Sequence, residues 1–140
     1  VEDSMRFRTG FAFMLVGIDH LARLNDAFGH EITDEVILES ARRVRSRLRG
    51  GDVLGRFSGN KFGLILKNCS ADDMVVAGER FLAGIRGEVV STRLGPVAVT
   101  ATIGAVSAPR HARTVDEALS RTQETLDRAQ QKLREAKPAK

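Results

Sequence analysis

The feature that most restricts the fold is an almost unbroken apolar run near the start of the chain, FAFMLVGI at residues 11–18. A strand with one face in water alternates apolar and polar residues, whereas a strand covered on both faces is apolar along its whole length. We therefore predict a strand over residues 11–18 that is buried on both faces.

Three later segments have the apolar spacing of amphipathic helices. The first begins near Thr33, after a short polar stretch with Asn25, Asp26 and Gly29, and its apolar stripe consists of Ile37, Ala41, Val44 and Leu48. Ser70 is a suitable N-cap for the second, whose stripe consists of Met74, Gly78, Phe81, Leu82 and Ile85. Thr114 and Glu117 form a capping box before the third, whose buried side carries Ala118, Thr122, Leu126, Ala129 and Leu133.

Short apolar runs between these helices predict further strands. Residues 53–57 and 62–66 flank the sequence Ser58-Gly59-Asn60-Lys61, which predicts a β-hairpin with a Gly/Asn turn. Strand-like runs also lie around Val89 and over residues 97–106. Helices alternating with a sheet that contains a hairpin indicate an α+β fold, with helices flanking a central, mainly antiparallel sheet.

Composition narrows the function classes. The chain has 140 residues and 42% hydrophobic content, which suits one domain over residues 1–140. It has no apolar run that could span a bilayer, and it has a single cysteine, Cys69. We therefore expect a cytoplasmic module without membrane contact. We also expect this module to be part of a longer protein. A net charge of +4 favours anionic partners. The chain has no Trp, no Tyr and seven Phe, most of them in apolar runs typical of a core, so we do not expect the exposed stacking aromatics of nucleic-acid binders.

Four motifs together resemble the GGDEF family of diguanylate cyclases. They are Gly17-Ile18-Asp19-His20, then Asn25-Asp26-x-x-Gly29-His30 with Asp34, then Arg49-Gly50-Gly51-Asp52, and the hairpin Ser58-Gly59-Asn60-Lys61-Phe62. Their order and spacing match the family from about Phe11 into the last helix. The resemblance implies a nucleotidyl-cyclase palm-like sheet with a ferredoxin-like core.

The resemblance also implies a catalytic mechanism, and this sequence departs from it. Two subunits each hold one GTP in the family, and divalent metals held by carboxylates stabilise the charge on the phosphoryl group. The positions implied for those carboxylates are Gly17 and Asn60 here, and Lys61 follows where the family has a second acid. We therefore expect no catalysis and no tight binding of Mg²⁺ or another cofactor.

Three further residues bear on that expectation. Asp19 lies close to the lost ligand; either it replaces that ligand, or it makes a cap or turn hydrogen bond, which we favour. In the last helix, the position implied for a phosphate-binding lysine is Gln130, although Arg134 retains a cation. We therefore expect a triphosphate to bind more weakly here than in the family.

The three histidines, His20, His30 and His111, indicate no metal site.

Base recognition is a separate matter from catalysis. The resemblance assigns guanine binding to an Asn and an Asp, retained here as Asn25 and Asp34. An amide and a carboxylate together match the donors and acceptors of a guanine edge. The competing interpretation makes Asn25 a turn residue and Asp34 an acid near a helix N-terminus. GTP binding therefore stays open.

The family also has a product-binding motif, Arg-x-x-Asp, placed five residues before the hairpin signature, where a stacked dimer of cyclic di-GMP binds. Arg49 and Asp52 occupy that place, and Arg80 matches an arginine that the family often adds from the next helix. The competing interpretation places Arg49 at a helix C-terminus, where it interacts with the dipole. The pattern also occurs at Arg23 to Asp26 and at Arg113 to Asp116, so only its position favours the first match.

These motifs predict a catalytically inactive GGDEF domain that binds cyclic di-GMP as a receptor in signal transduction. The alternative is a ligand-free dimerisation or protein-interaction module, and a weak diguanylate cyclase or a GTP-binding regulatory domain ranks below both. A homodimer, a ligand-bridged dimer and contacts with neighbouring regulatory domains stay open.

Overall fold

The structure, a computed structural model, describes residues 10–58, 60–108 and 115–135. The strands are β1 (Phe11–Ile18), β2 (Val53–Ser58), β3 (Lys61–Lys67), β4 (Val90–Thr92), β5 (Gly95–Val97) and β6 (Ala101–Ala108). The helices are α1 (Leu21–Phe28), α2 (His30–Arg45), α3 (Ala71–Arg86) and α4 (Val115–Glu135). None of the described helices is long and apolar enough to cross a membrane.

The main sheet has the strand order β2-β3-β1-β6 and is antiparallel throughout. Strands β4 and β5 form a separate two-stranded sheet. The predicted α+β fold, with helices flanking a central antiparallel sheet, is confirmed.

Burial on both faces explains the apolar run of β1. On one face, Ala12, Met14, Val16 and Ile18 join the main core, which includes Val36 of α2 and Phe81 of α3. On the other face, Phe13 packs with Val106 and with Ala118 of α4. Each face of β1 thus has its own helical cover, and no position on the strand from Ala12 to Ile18 faces water.

Helix α4 lies unusually close to β6. A Cβ at Gly104 would lie 2.4 Å from the backbone nitrogen of Leu126 and 2.7 Å from its Cα. Glycine is required there because backbone, which cannot move aside as a side chain can, occupies the space.

Three sequence predictions need correction. The polar stretch with Asn25 and Asp26 is not a loop but the helix α1, and α2 begins at His30 rather than near Thr33. The apolar run over residues 97–106 is divided between β5 and β6, which belong to different sheets. The predicted cap at Ser70 is confirmed, with Asp73 completing a capping box. Thr114, the predicted cap of α4, lies outside the described residues.

Candidate functional site

The hairpin between β2 and β3 brings together the positions that the resemblance gives to metal ligands. The register of β1 and β3 places Gly17 directly opposite Lys61. Asn60 lies at the hairpin tip, where its Oδ1 accepts a hydrogen bond of 3.1 Å from the Ser58 hydroxyl. A glycine, a neutral amide at the hairpin tip and a lysine therefore take the places of the implied carboxylates at the end of β1.

Helix α4 adds Gln130 to this group. A Cβ at position 17 would lie 2.5 Å from Gln130 Nε2, closer than real Cβ contacts, and 3.2 Å from its Cδ. The Gln130 amide thus occupies the space next to Gly17 that a larger side chain would need. The sequence presents Gly17 and Gln130 as two separate departures from the family. In the structure the two residues lie side by side.

The donor set at this place does not suit Mg²⁺. Mg²⁺ prefers carboxylate oxygens in octahedral geometry, whereas Gly17 offers no side chain and the Asn60 carbonyl is already hydrogen-bonded. Across the parts of the chain that the structure describes, no group of three or more His, Cys, Asp or Glu side chains is arranged to hold a metal ion.

Asp19 is held by the strand on the other side of β1. Its carboxylate accepts hydrogen bonds from the hydroxyls of Thr100 at 2.7 Å and Thr102 at 2.6 Å, and its backbone N–H donates to the Thr100 carbonyl at 3.0 Å. These bonds give Asp19 a structural role, but they reach across to Thr100 and Thr102 and are neither the cap nor the turn hydrogen bond that the sequence favours.

Asn25 and Asp34 line one cavity, as the guanine-binding expectation requires. The cavity has a volume of about 370 Å³ and is also lined by His30, Ser58 and Asn60. Asn25 Oδ1 is buried and has no hydrogen-bond partner among the described residues. A buried acceptor without a partner is costly, so this atom favours a ligand or water that donates to it.

The competing interpretations of this pair do not fit the helices. Asn25 lies inside α1 rather than in a turn. Asp34 lies beyond the first turn of α2, whose acidic first-turn residue is Glu31. The cavity is therefore the environment that the two side chains share.

The Arg-x-x-Asp motif forms a tight turn between α2 and β2. The Asp52 backbone N–H donates to the Arg49 carbonyl at 3.1 Å, and the Arg49 backbone N–H donates to Asp52 Oδ2 at 3.0 Å. Asp52 Oδ1 accepts from the Lys67 backbone N–H at 3.2 Å, which ties the turn to β3. The Asp52 side chain is only 3% exposed, whereas the Arg49 side chain is 60% exposed. The structure thus places Arg49 toward solvent and gives Asp52 an internal role in the turn.

The helix-dipole interpretation of Arg49 does not apply, because α2 ends at Arg45 and is capped by Ser46. The guanidinium of Arg49 instead approaches Asp52, with 4.0 Å between Nε and Oδ2. This contact is long enough to leave the side chain free to reorient.

Arg80 lies on the same surface. It is exposed, its Nη2 donates to the Arg47 carbonyl at 3.5 Å, and its guanidinium carbon lies 5.3 Å from the centre of the Phe81 ring. The buried thiol of Cys69 lies within electrostatic reach of the whole group. Burial raises the pKa of this thiol, Asp73 and Asp52 add to the effect, and Arg49 and Arg80 oppose it. We call Arg49, Asp52 and Arg80 the arginine surface, because all three act electrostatically on this thiol.

The two other matches to the pattern differ in setting. Arg23 and Asp26 lie one turn apart on α1 and make no turn of this kind. Arg113 lies outside the described residues, as does His111, and the side chain of Arg134 is not described.

A second cavity was not predicted from the sequence. It has a volume of about 510 Å³ and lies on the other side of α1, between that helix, the segment after α3 and the segment before β6. Its lining comes from three separate stretches of chain, which no local pattern connects.

Comparison with known proteins gives one consistent result. The family model described as "Diguanylate cyclase, GGDEF domain" matches residues 2–136. The chain is 32% identical over 84 residues to "Probable diguanylate cyclase DgcC" of Escherichia coli K12, which is 60% of this chain and 23% of DgcC. It is 30% identical over 125 residues to the response regulator PleD of Caulobacter vibrioides, which is 88% of this chain and 28% of PleD. The chain thus spans about a quarter of the length of these curated relatives.

A solved structure agrees with the fold. The GGDEF domain of TpbB (YfiN) from Pseudomonas aeruginosa superimposes with a TM-score of 0.84 at 26% sequence identity. The superposition covers 90% of this chain and 74% of the TpbB chain.

Proposed function

The chain belongs to the GGDEF family of diguanylate cyclase domains, and on that basis we propose that it binds cyclic di-GMP without synthesising it. The observation that carries the proposal is the exposed side chain of Arg49 on a turn that Asp52 fixes, retained in a chain whose implied metal positions are Gly17 and Asn60. The domain then acts as a cytoplasmic receptor module of a longer regulatory protein.

Loss of synthesis follows from the chemistry at the end of β1. Attack on an α-phosphate needs charge neutralisation and in-line positioning, which carboxylate-held metals supply. Lys61 brings one ammonium group to this place, and Gln130 fills the space beside Gly17. A single ammonium group can attract a phosphate but cannot bridge two oxygens and orient the attack.

Binding of cyclic di-GMP is supported by the chemistry of the arginine surface. Arginine donates two hydrogen bonds to the O6 and N7 acceptors of guanine, and its flat guanidinium stacks on the base. The Arg49 side chain is 60% exposed and its ionic contact with Asp52 is long, at 4.0 Å, so it is free to turn toward a ligand. Arg80 adds a second exposed cation for a ligand that carries two phosphodiester charges.

Asp52 contributes mainly by holding the turn from which Arg49 projects. Both of its oxygens already accept backbone N–H groups, and little of the side chain reaches solvent. In the proposed complex, Asp52 also accepts a hydrogen bond from the guanine edge, using the lone pairs that these bonds leave free.

Calorimetric titration with cyclic di-GMP tests the proposal. Wild type should bind, and Arg49→Ala should lower affinity tenfold or more, because a bidentate guanine contact contributes about 1 to 3 kcal/mol and roughly 1.4 kcal/mol corresponds to tenfold. Arg80→Ala should cost less, since that arginine completes the site.

Arg23→Ala and Arg113→Ala are the matched controls, because both residues begin an Arg-x-x-Asp match elsewhere in the chain. Each should leave affinity almost unchanged. Absence of binding at high micromolar ligand, or an equal loss in Arg113→Ala and Arg49→Ala, would reject the receptor function and leave the ligand-free interaction module.

A further inference from the structure

The 510 Å³ cavity beyond α1 has the size and lining of a small-molecule site. Ligand pockets commonly have volumes of about 300 to 1,000 Å³ and combine apolar walls with a few polar groups. Leu24 and Ala27 of α1 form one wall, and Val89 and Val99 line the opposite side. Phe28 and Val89, at 36% and 50% exposure, leave large apolar side chains open to solvent at this place.

The cavity is lined by two guanidinium groups whose hydrogen-bond donors are not used by any described residue. Arg23 and Arg86 both line it, and neither guanidinium has a hydrogen bond or an ion pair with any residue that the structure describes. Arginine carries five N–H donors and no acceptor. By contrast, the carboxylate of Asp19 already accepts from two threonine hydroxyls. Glu88 supplies the remaining carboxylate of the lining.

A ligand that satisfies this lining needs an apolar body for the walls and an acidic group for the arginines. We propose that the cavity is a second binding site for a small amphipathic anion, a compact aromatic or aliphatic body with one carboxylate, sulfonate or phosphate group. The overall charge of +4 also favours an anion over a cation.

Helix α1 separates this cavity from the one that holds Asn25. Leu21 and Asn25 line the first cavity, whereas Arg23, Leu24 and Ala27 line the second. No residue of α1 is fully buried, so the helix is held less firmly than α2 or α3. An anion in the second cavity therefore contacts a wall that both cavities share.

A titration with 1-naphthalenesulfonate, followed by backbone amide NMR shifts, tests the site. The sulfonate should bind saturably, with shifts at α1 and at residues 86–89 and 98–100. Arg23→Gln and Arg86→Gln should each weaken binding roughly tenfold, the scale of a hydrogen bond to a charged group. Ala27→Trp should abolish binding by filling the cavity. The neutral analogue 1-naphthalenemethanol should bind at least tenfold more weakly than the sulfonate.

Two variants serve as matched controls for these changes. Arg45→Gln removes an exposed arginine of α2, and Ala83→Trp adds the same bulk to an exposed position of α3. Both should bind the sulfonate as wild type does. Unchanged binding in Ala27→Trp, equal affinity for the neutral analogue, or shifts confined to other surfaces would overturn the proposal. Because Arg49 and Arg80 line neither cavity, none of these results bears on cyclic di-GMP binding.

Discussion

Replacing Asp52 should cost far more stability than replacing Arg49, although both belong to the arginine surface. Asp52 accepts backbone N–H groups at 3.0 and 3.2 Å with a side chain that is 3% exposed. A hydrogen bond to a charged group contributes about 1.5–3 kcal/mol. Water reaches the N–H groups of this surface turn once the carboxylate is removed, so Asp52→Ala should lower the free energy of unfolding by about 2–4 kcal/mol. Arg49→Ala, which removes an exposed contact of 4.0 Å, should cost no more than about 1 kcal/mol.

Urea denaturation at neutral pH measures both changes. Asp52→Asn retains one carbonyl acceptor and should lose about half as much stability as Asp52→Ala. Glu79→Ala, which removes an exposed acid from α3, controls for the loss of a negative charge and should change little. The assignment of Asp52 to the turn is refuted if Asp52→Ala unfolds at the same urea concentration as Arg49→Ala.

Three further results are expected. Incubation with GTP and Mg²⁺ or Mn²⁺ should yield no cyclic di-GMP by chromatography; steady product formation that Asp19→Ala abolishes would show that Asp19 holds the metal. If GTP binds to the cavity that holds Asn25, calorimetry should show weak binding that Asn25→Ala weakens further and that Mg²⁺ changes little. A large gain in GTP affinity on adding Mg²⁺ would contradict the absence of metal carboxylates at this site. Gly104→Ala should destabilise the fold by about 3 kcal/mol or more, since overpacking against backbone cannot relax easily, whereas Gly55→Ala meets nothing within 4 Å and should change the urea midpoint little.

The central strand could be predicted from sequence because its signal is long and unambiguous. Helix α1 could not, since it has only eight residues and its N-cap, His20, adopts a left-handed conformation without a side-chain hydrogen bond. Its apolar residues Leu21, Leu24 and Phe28 do have helical spacing, and that was the available signal. The division of residues 97–106 was also missed, because a continuous apolar run does not show where a chain leaves one sheet for another.

In the candidate sites, too, features set by neighbouring residues could be predicted from the sequence, whereas features set by residues far apart in the chain could not. The motif Arg49 to Asp52 is local, so its place before the hairpin could be predicted from spacing alone. The different exposure of its two side chains depends on Lys67, which approaches only after β3 has paired with β2. The contact between Gly17 and Gln130, and the cavity beyond α1, depend on residues far apart in sequence, which no motif links.

The packing of Gln130 beside Gly17 has a consequence for how such a domain changes over generations. A side chain at position 17 and the present position of the Gln130 amide exclude each other. A reversion of Gly17 to an acidic residue therefore requires the Gln130 amide to move aside, and because that amide is the far end of a flexible side chain, the movement costs little. Natural selection, which tests one mutation at a time, can therefore reverse the glycine without first replacing Gln130, provided that the amide adopts another rotamer.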